Sequence, residues 1–218
     1  MELAIAGYRS TRLQVLQVLK RRGGATVSDL ARELCLSGVS LRRHLDLLER
    51  HHLVAARVQG GRRGRPAKVY HLTEEAEWFF PQRYSQFAIS LLEAVREQFG
   101  PRAVEELLRR QTNTLIRQMK PRLAGKSLKA RVETLADLMT EMGFLASSEQ
   151  INRGQFLLTQ CHCPLARVVA VCPAVCDQEL RMHADLLKAQ VTRCCFIREG
   201  GDACRYLIEA PRCRSRMR

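Results

Sequence analysis

The chain has 218 residues, 46% of them apolar and 27% charged, with a net charge of +14 and a pI near 9.9. That is enough apolar material for one or two cores. The uncharged run nearest the cysteines, 168–176, falls far short of the ~20 residues a membrane span needs, and the start Met1-Glu2-Leu3-Ala4-Ile5-Ala6 is too short and too acidic for a signal peptide. These features predict a cytoplasmic protein with no membrane partner. Residues 1–72 hold 14 Lys/Arg against 5 Asp/Glu, and Arg212, Arg214, Arg216 and Arg218 make the tail basic too. A basic N-terminal third suits a polyanion, above all nucleic acid.

From Arg9 to Arg22, Leu13, Leu16 and Leu19 recur at helical spacing, and Gly23-Gly24 ends the helix. A second helix begins near Thr26, where Thr26, Ser28 and Asp29 supply caps and Leu30, Ala31 and Leu34 form the inner face. The short turn Cys35-Leu36-Ser37-Gly38 follows, with Cys35 taken as a small core residue. A third helix over Gly38–His51 turns Leu41, Leu45 and Leu48 inward and leaves Ser40, Arg42, Arg43 and His44 on its open side. This is the helix-turn-helix pattern, whose second helix enters the major groove of double-stranded DNA. Strands at 53–58 and 68–72 flank a Gly/Arg loop, predicting a wing whose Arg62, Arg63 and Arg65 reach phosphates or the minor groove.

After Pro81 three apolar stripes predict amphipathic helices: Phe87 to Phe99, Val104 to Ile116 stopped before Pro121, and Leu128 to Met139 ended by Gly143. They suit either subunit pairing or an intrachain core. From 144 on, strands are expected at 144–149, 156–159, 191–197 and 205–209, with helices at 164–170 and 174–187. The predicted fold class is α+β: a winged helix-turn-helix domain (1–82), a central helical linker and dimerisation region (83–143), and a small cysteine-rich α+β sensor domain (144–218).

Eight of the nine cysteines fall between Cys161 and Cys213. An odd count in a reduced compartment favours a metal or cluster site over disulfides. Twelve residues separate Cys163 from Cys176, while Cys195 and Cys204 bracket the turn 198–202. No Cys-x-x-Cys pair and no ferredoxin run occurs, so spacing alone does not separate zinc from iron–sulfur, and soft thiolates bind both. No Gly-rich nucleotide loop, paired carboxylates or nucleophile constellation points to an enzyme, and a redox enzyme with a DNA anchor is the weakest of the three readings. His162 is expected as a neighbour of the thiols and His183 as a surface residue.

Residues 11–72, with Gly64-Arg65-Pro66-Ala67 and Tyr70-x-Leu72-Thr73, resemble the winged-helix part of SufR-type regulators. The motifs Cys163-Pro164, Pro173-x-x-Cys176-x-x-Glu179 and Gly201-Asp202-x-Cys204-x-Tyr206 resemble the cluster-binding domain of the same family. The resemblance covers nearly the whole chain. It implies a cytosolic homodimeric repressor of iron–sulfur cluster assembly genes that reads a palindromic operator and holds an iron–sulfur cluster, [4Fe–4S] by family habit, through Cys163, Cys176 and Cys204. The family's fourth cysteine falls near Gln190 here. Cys194 or Cys195 takes its place, and Cys195, before the Gly201-Asp202 turn, is the one expected. The cluster-loaded form is expected to bind DNA, with control passing through linkage.

Overall fold

Two units form along the chain, residues 1–82 and 83–218, each around its own core. The computed structural model describes residues 11–59 and 66–210. The expected helix start at Arg9, the wing residues Arg62, Arg63 and Arg65, Cys213 and the basic tail lie outside the described residues.

In the first unit, α1 (Thr11–Arg22) buries Val15, Leu16, Val18 and Leu19. Gly24 admits no side chain, because a Cβ there would stand 2.5 Å from the His71 ring, which is held by a 2.7 Å contact from Nδ1 to the Gly23 carbonyl. Strand β1 (Ala25–Thr26), unforeseen in the sequence, leads into α2 (Val27–Leu34), and α3 (Gly38–Arg50) follows. Then come β2 (Val54–Gln59) and β3 (Ala67–Leu72), antiparallel from Val54 opposite Leu72 to Gln59 opposite Ala67, with β1 on the other side of β3. Leu30, Leu41 and Leu45 are fully buried between the helices, each contributing about 1.5–3 kcal/mol by removal from water.

The second unit begins with α4 (Tyr84–Phe99) and α5 (Pro101–Leu123), followed by α6 (Leu128–Glu141), β4 (Ala146–Asn152), β5 (Gln155–Gln160), α7 (Ala166–Val171), α8 (Ala174–Leu187), β6 (Gln190–Cys195) and β7 (Cys204–Glu209). The strands form one antiparallel sheet in the order β4-β5-β7-β6. Its inner face, with Phe156, Leu158, Tyr206 and Ile208, shares a single core with Met119 and Leu123 of α5, Leu135 and Met139 of α6, and Met182 and Leu187 of α8. Helices from 83–143 and strands from 144–210 therefore pack together.

Two element limits differ from expectation. Helix α5 runs through Pro121, because the buried Met119 and Leu123 draw its last turn onto the core. The proline removes the N–H that would bond to the Arg117 carbonyl, and burial of these two side chains outweighs that loss. Arg122 then clamps Glu141 of α6 through two hydrogen bonds, of 2.6 and 2.9 Å. Strand β4 starts at Ala146, not Phe144: Phe144 is buried and Leu145 takes a left-handed φ of 49° to turn the chain into the sheet.

Candidate DNA interface and thiol cluster

Local hydrogen bonds set the geometry of α2 and α3. Thr26 and Asp29 form a reciprocal capping box, with Asp29 N–H donating to Thr26 Oγ1 at 3.1 Å and Thr26 N–H to Asp29 Oδ2 at 3.1 Å. Bonding to the Thr26 side chain and backbone holds the Asp29 carboxyl below its ordinary pKa. Cys35 ends α2 with φ 55° and donates its N–H to the Ala31 carbonyl. It is exposed, not a core residue, because the left-handed cap turns its side chain outward. Ser37 caps α3 by accepting the Ser40 N–H at 3.2 Å. Leu41, Leu45 and Leu48 are buried. Arg42 and Arg43 are exposed, and Ser40 and His44 half-buried. On the hairpin, Arg57 and Lys68 are exposed as well. Each is a cation in a strand flanking the Gly/Arg loop, a position that only the strand pairing sets beside that loop.

The thiols gather at one end of the second unit's sheet. On β7, Cys204, Tyr206 and Ile208 share a face, since alternate residues point the same way. Gln160, Leu158 and Phe156 stand opposite them on β5, and Arg193 stands opposite Tyr206 on β6. Helix α8 covers this face. Its Cys176, Glu179 and His183 follow at helical spacing, and the Tyr206 hydroxyl donates to Glu179 Oε1 at 3.0 Å. The Arg193 guanidinium donates to the Cys176 carbonyl and lies 4.6 Å from the Phe196 ring centre. Cys163 sits just past β5, packed against the same core as Cys204. The Ile197 N–H points at Cys204 Sγ, 3.4 Å away.

Cys195 is placed differently. A register shift between Arg193 and Cys195 sets Cys195 opposite Arg205, on the face away from Cys204 and Tyr206. Its thiol lies beside Gly201, where a Cβ would come within 2.6 Å of Sγ. Cys194 is exposed, as is Cys161, while Cys172 is half-buried. The structure thus brings Cys163, Cys176 and Cys204 around Glu179 and leaves Cys195 on the other face.

Burial dominates the electrostatics. It raises the thiol pKa of Cys163 and Cys204 and pushes Cys176 up to about 11. The charge of Glu179 works in the same direction on all three. Glu179 is itself raised by burial, against the pull of Gln160, Tyr206 and Arg193. His183 is fully buried, not a surface residue: it lies on the α8 face against the sheet and meets Tyr206 edge-on at 4.7 Å. Desolvation, then Arg193, lowers its pKa to about 3, so it is neutral. Its nearest carboxylate oxygen, Glu179 Oε1, lies 3.9 Å from Nε2.

Among the described residues, no three His, Cys, Asp or Glu side chains stand closed on a point that would hold a metal ion. The chemistry of Cys163, Cys176 and Cys204 fits a thiophilic metal or an iron–sulfur cluster, whose binding would take the protons off the thiols.

Residues 9–57 match the family described as a helix-turn-helix domain. This stretch is a helix-turn-helix domain. No curated protein matches the chain. Among solved structures, the chain is similar to an H-NOX protein from S. oneidensis in the Fe(II)NO ligation state, at 13% identity and a TM-score of 0.40, over 93% of this chain and 99% of that one. It is also similar to Bacillus subtilis PadR in complex with operator DNA, at 10% identity and a TM-score of 0.28, over 81% of this chain and 97% of that one. Likenesses this distant carry no weight for fold or function.

A helix-turn-helix domain is the architecture of a DNA-binding regulator, and it presents the N-terminal part of its second helix to base edges. In α3, Arg42 and Arg43 lie in the first half and Asp46, Glu49 and Arg50 in the second, and all five are exposed. Among the described residues, no helix is long and apolar enough to cross a membrane.

Proposed function

We propose that this protein is a homodimeric transcription repressor that reads a palindromic operator and whose affinity for it is set by an iron–sulfur cluster held by Cys163, Cys176 and Cys204. The observation that carries this reading is the Tyr206–Glu179 hydrogen bond. It joins the strand that bears Cys204 to the helix that bears Cys176, and the same chain carries a helix-turn-helix domain. Ser40, Arg42, Arg43 and His44 read base edges and phosphates, and Arg57 and Lys68 join Arg62, Arg63 and Arg65 in holding the backbone. Control of iron–sulfur assembly genes and the [4Fe–4S] type rest on the resemblance to SufR-type regulators.

Dimerisation is supported by α4, which buries no residue and exposes Tyr84, Phe87, Leu91 and Phe99, with Tyr84 at 72% and Phe87 at 70%. Tyr84, Phe87, Leu91 and Ala94 follow the alternating three-four spacing of a coiled-coil seam. A second copy paired there would give the two-fold symmetry that paired half-sites about 34 Å apart require. Phe87→Glu is expected to convert the dimer to monomer in sedimentation equilibrium and to abolish operator binding.

A bound cluster supplies a rigid link among the segments that carry its ligands, together with a charge that changes with redox state. The thiols lie more than a hundred residues from α3 in sequence, so their effect on DNA is a coupling free energy. A coupling of about 1–3 kcal/mol changes affinity five- to 150-fold. Anaerobic titrations of one promoter duplex with loaded and chelator-treated protein, at fixed salt, test it. Tighter binding by the loaded form is expected, and equal dissociation constants would leave the thiols as structural ligands only. Cys163→Ser, Cys176→Ser and Cys204→Ser should each lose most bound iron and sulfide, whereas Cys35→Ser should retain both.

A further inference from the structure

We propose that Glu179, and not Cys195, is the fourth protein donor to the cluster, an inference that rests on the cluster reading above. Three placements point to it. Cys204 and Tyr206 share one face of β7, and the Tyr206 hydroxyl reaches Glu179 at 3.0 Å. The carboxylate is therefore tied to the strand that carries Cys204, two residues from that thiol. Cys176 lies one turn before Glu179 on α8, so both point at the same face of the sheet. Cys195 is paired with Arg205 instead, on the opposite face, and its sulfur is lodged against Gly201.

Glu179 is well prepared for such a role. Its side chain is only 12% exposed, and the Tyr206 hydroxyl can orient one oxygen while the other turns to the metal, as outer hydrogen bonds do for metal-binding carboxylates. Arg193, seated between Cys176 and the Phe196 and Tyr206 rings, supplies a compensating positive charge. A carboxylate is a harder donor than a thiolate and holds iron less firmly. One iron of the four would then be the exchangeable one, which suits a site that must report on supply.

The test uses the full-length protein reconstituted anaerobically, with iron and sulfide counted and visible and EPR spectra recorded for wild type, Glu179→Gln, Glu179→Cys and Cys195→Ser. Cys195→Ser is expected to match wild type. Glu179→Gln is expected to lose about a quarter of the iron with sulfide retained, and to show a three-iron EPR signature once ferricyanide has removed one electron. Glu179→Cys should restore the full iron content with an altered spectrum, since it returns a donor but not the carboxylate. A carboxylate with a purely structural role would not be rescued by cysteine, and that result would overturn the assignment. So would full iron in Glu179→Gln together with loss in Cys195→Ser. Wild-type protein that takes up neither iron nor sulfide would instead remove the cluster reading itself.

Discussion

The two units assemble their working residues by opposite routes. In the first, the side chains proposed to read DNA lie within a few residues of one another on α3, and the caps that position them, the Thr26–Asp29 box and the Ser37 cap, each join residues three apart. In the second, Cys163, Cys176, Glu179 and Cys204 come from a loop, a helix and a strand, joined by one hydrogen bond between residues 27 apart. A site of the first kind withstands loss of distant contacts and fails with its own helix. A site of the second kind depends on sheet register, where a slip of one residue turns every side chain to the other face.

The largest effect is expected from the core of the first unit. Leu45→Ala removes a fully buried side chain and should cost about 2–5 kcal/mol, seen as a lower urea midpoint for the first unit. Iron and sulfide content should remain at the wild-type level; their loss in parallel would mean that the two units unfold as one body and that the contrast fails.

Arg42→Ala is expected to cost about 1–3 kcal/mol on the operator and to relax preference at one base pair. Lys68→Ala, by contrast, should weaken operator and random duplex alike and lower the salt slope by about one. If Arg42→Ala weakened both duplexes equally, its role would be phosphate contact and α3 would not be reading bases through it.

Thr26→Ala removes one half of the capping box and should destabilise the first unit by about 1 kcal/mol, measurable by thermal unfolding. An unchanged Tm would show that α2 is held by its buried Leu30 alone.

The smallest effect sharpens the picture of the second unit. His183 has an ordinary pKa of 6.5 and is lowered to about 3 in the fold, so the unfolded chain takes up a proton that the folded one excludes. Its contribution to stability is complete above pH 6.5 and is lost as pH falls toward 3, by about 1 kcal/mol between pH 7 and 5.5. Glu179, raised by burial, acts in the opposite sense, losing its contribution as pH rises. The difference between wild type and His183→Leu isolates the histidine: the variant should lose less stability over that interval. Equal losses would mean that His183 is protonated in the fold.

The helix-turn-helix domain was legible because its signals are local. Leu41, Leu45 and Leu48 repeat at helical spacing, the capping residues stand three apart, and glycine marks the end of α1 at Gly23. Strand β1 escaped because two residues carry no periodicity; only pairing with Val69 and Tyr70 makes them a strand. The run of α5 through Pro121 escaped for a related reason, since burial of Leu123 overrides a local helix breaker.

For the thiol site, the sequence by itself determined which residue types crowd the last quarter of the chain and which motifs hold them, Glu179 and Tyr206 included. It did not determine which face each occupies. The shift in register between Arg193 and Cys195, not the count of cysteines, separates Cys195 from Cys204, and the packing of α8 on the sheet turns His183 inward and sets Glu179 against Tyr206. Residue types and helical periods are properties of neighbours in the chain, so the sequence carries them. Strand register and the pairing of a helix face with a sheet face are settled by the fit of the whole core, and only the tertiary structure decides them.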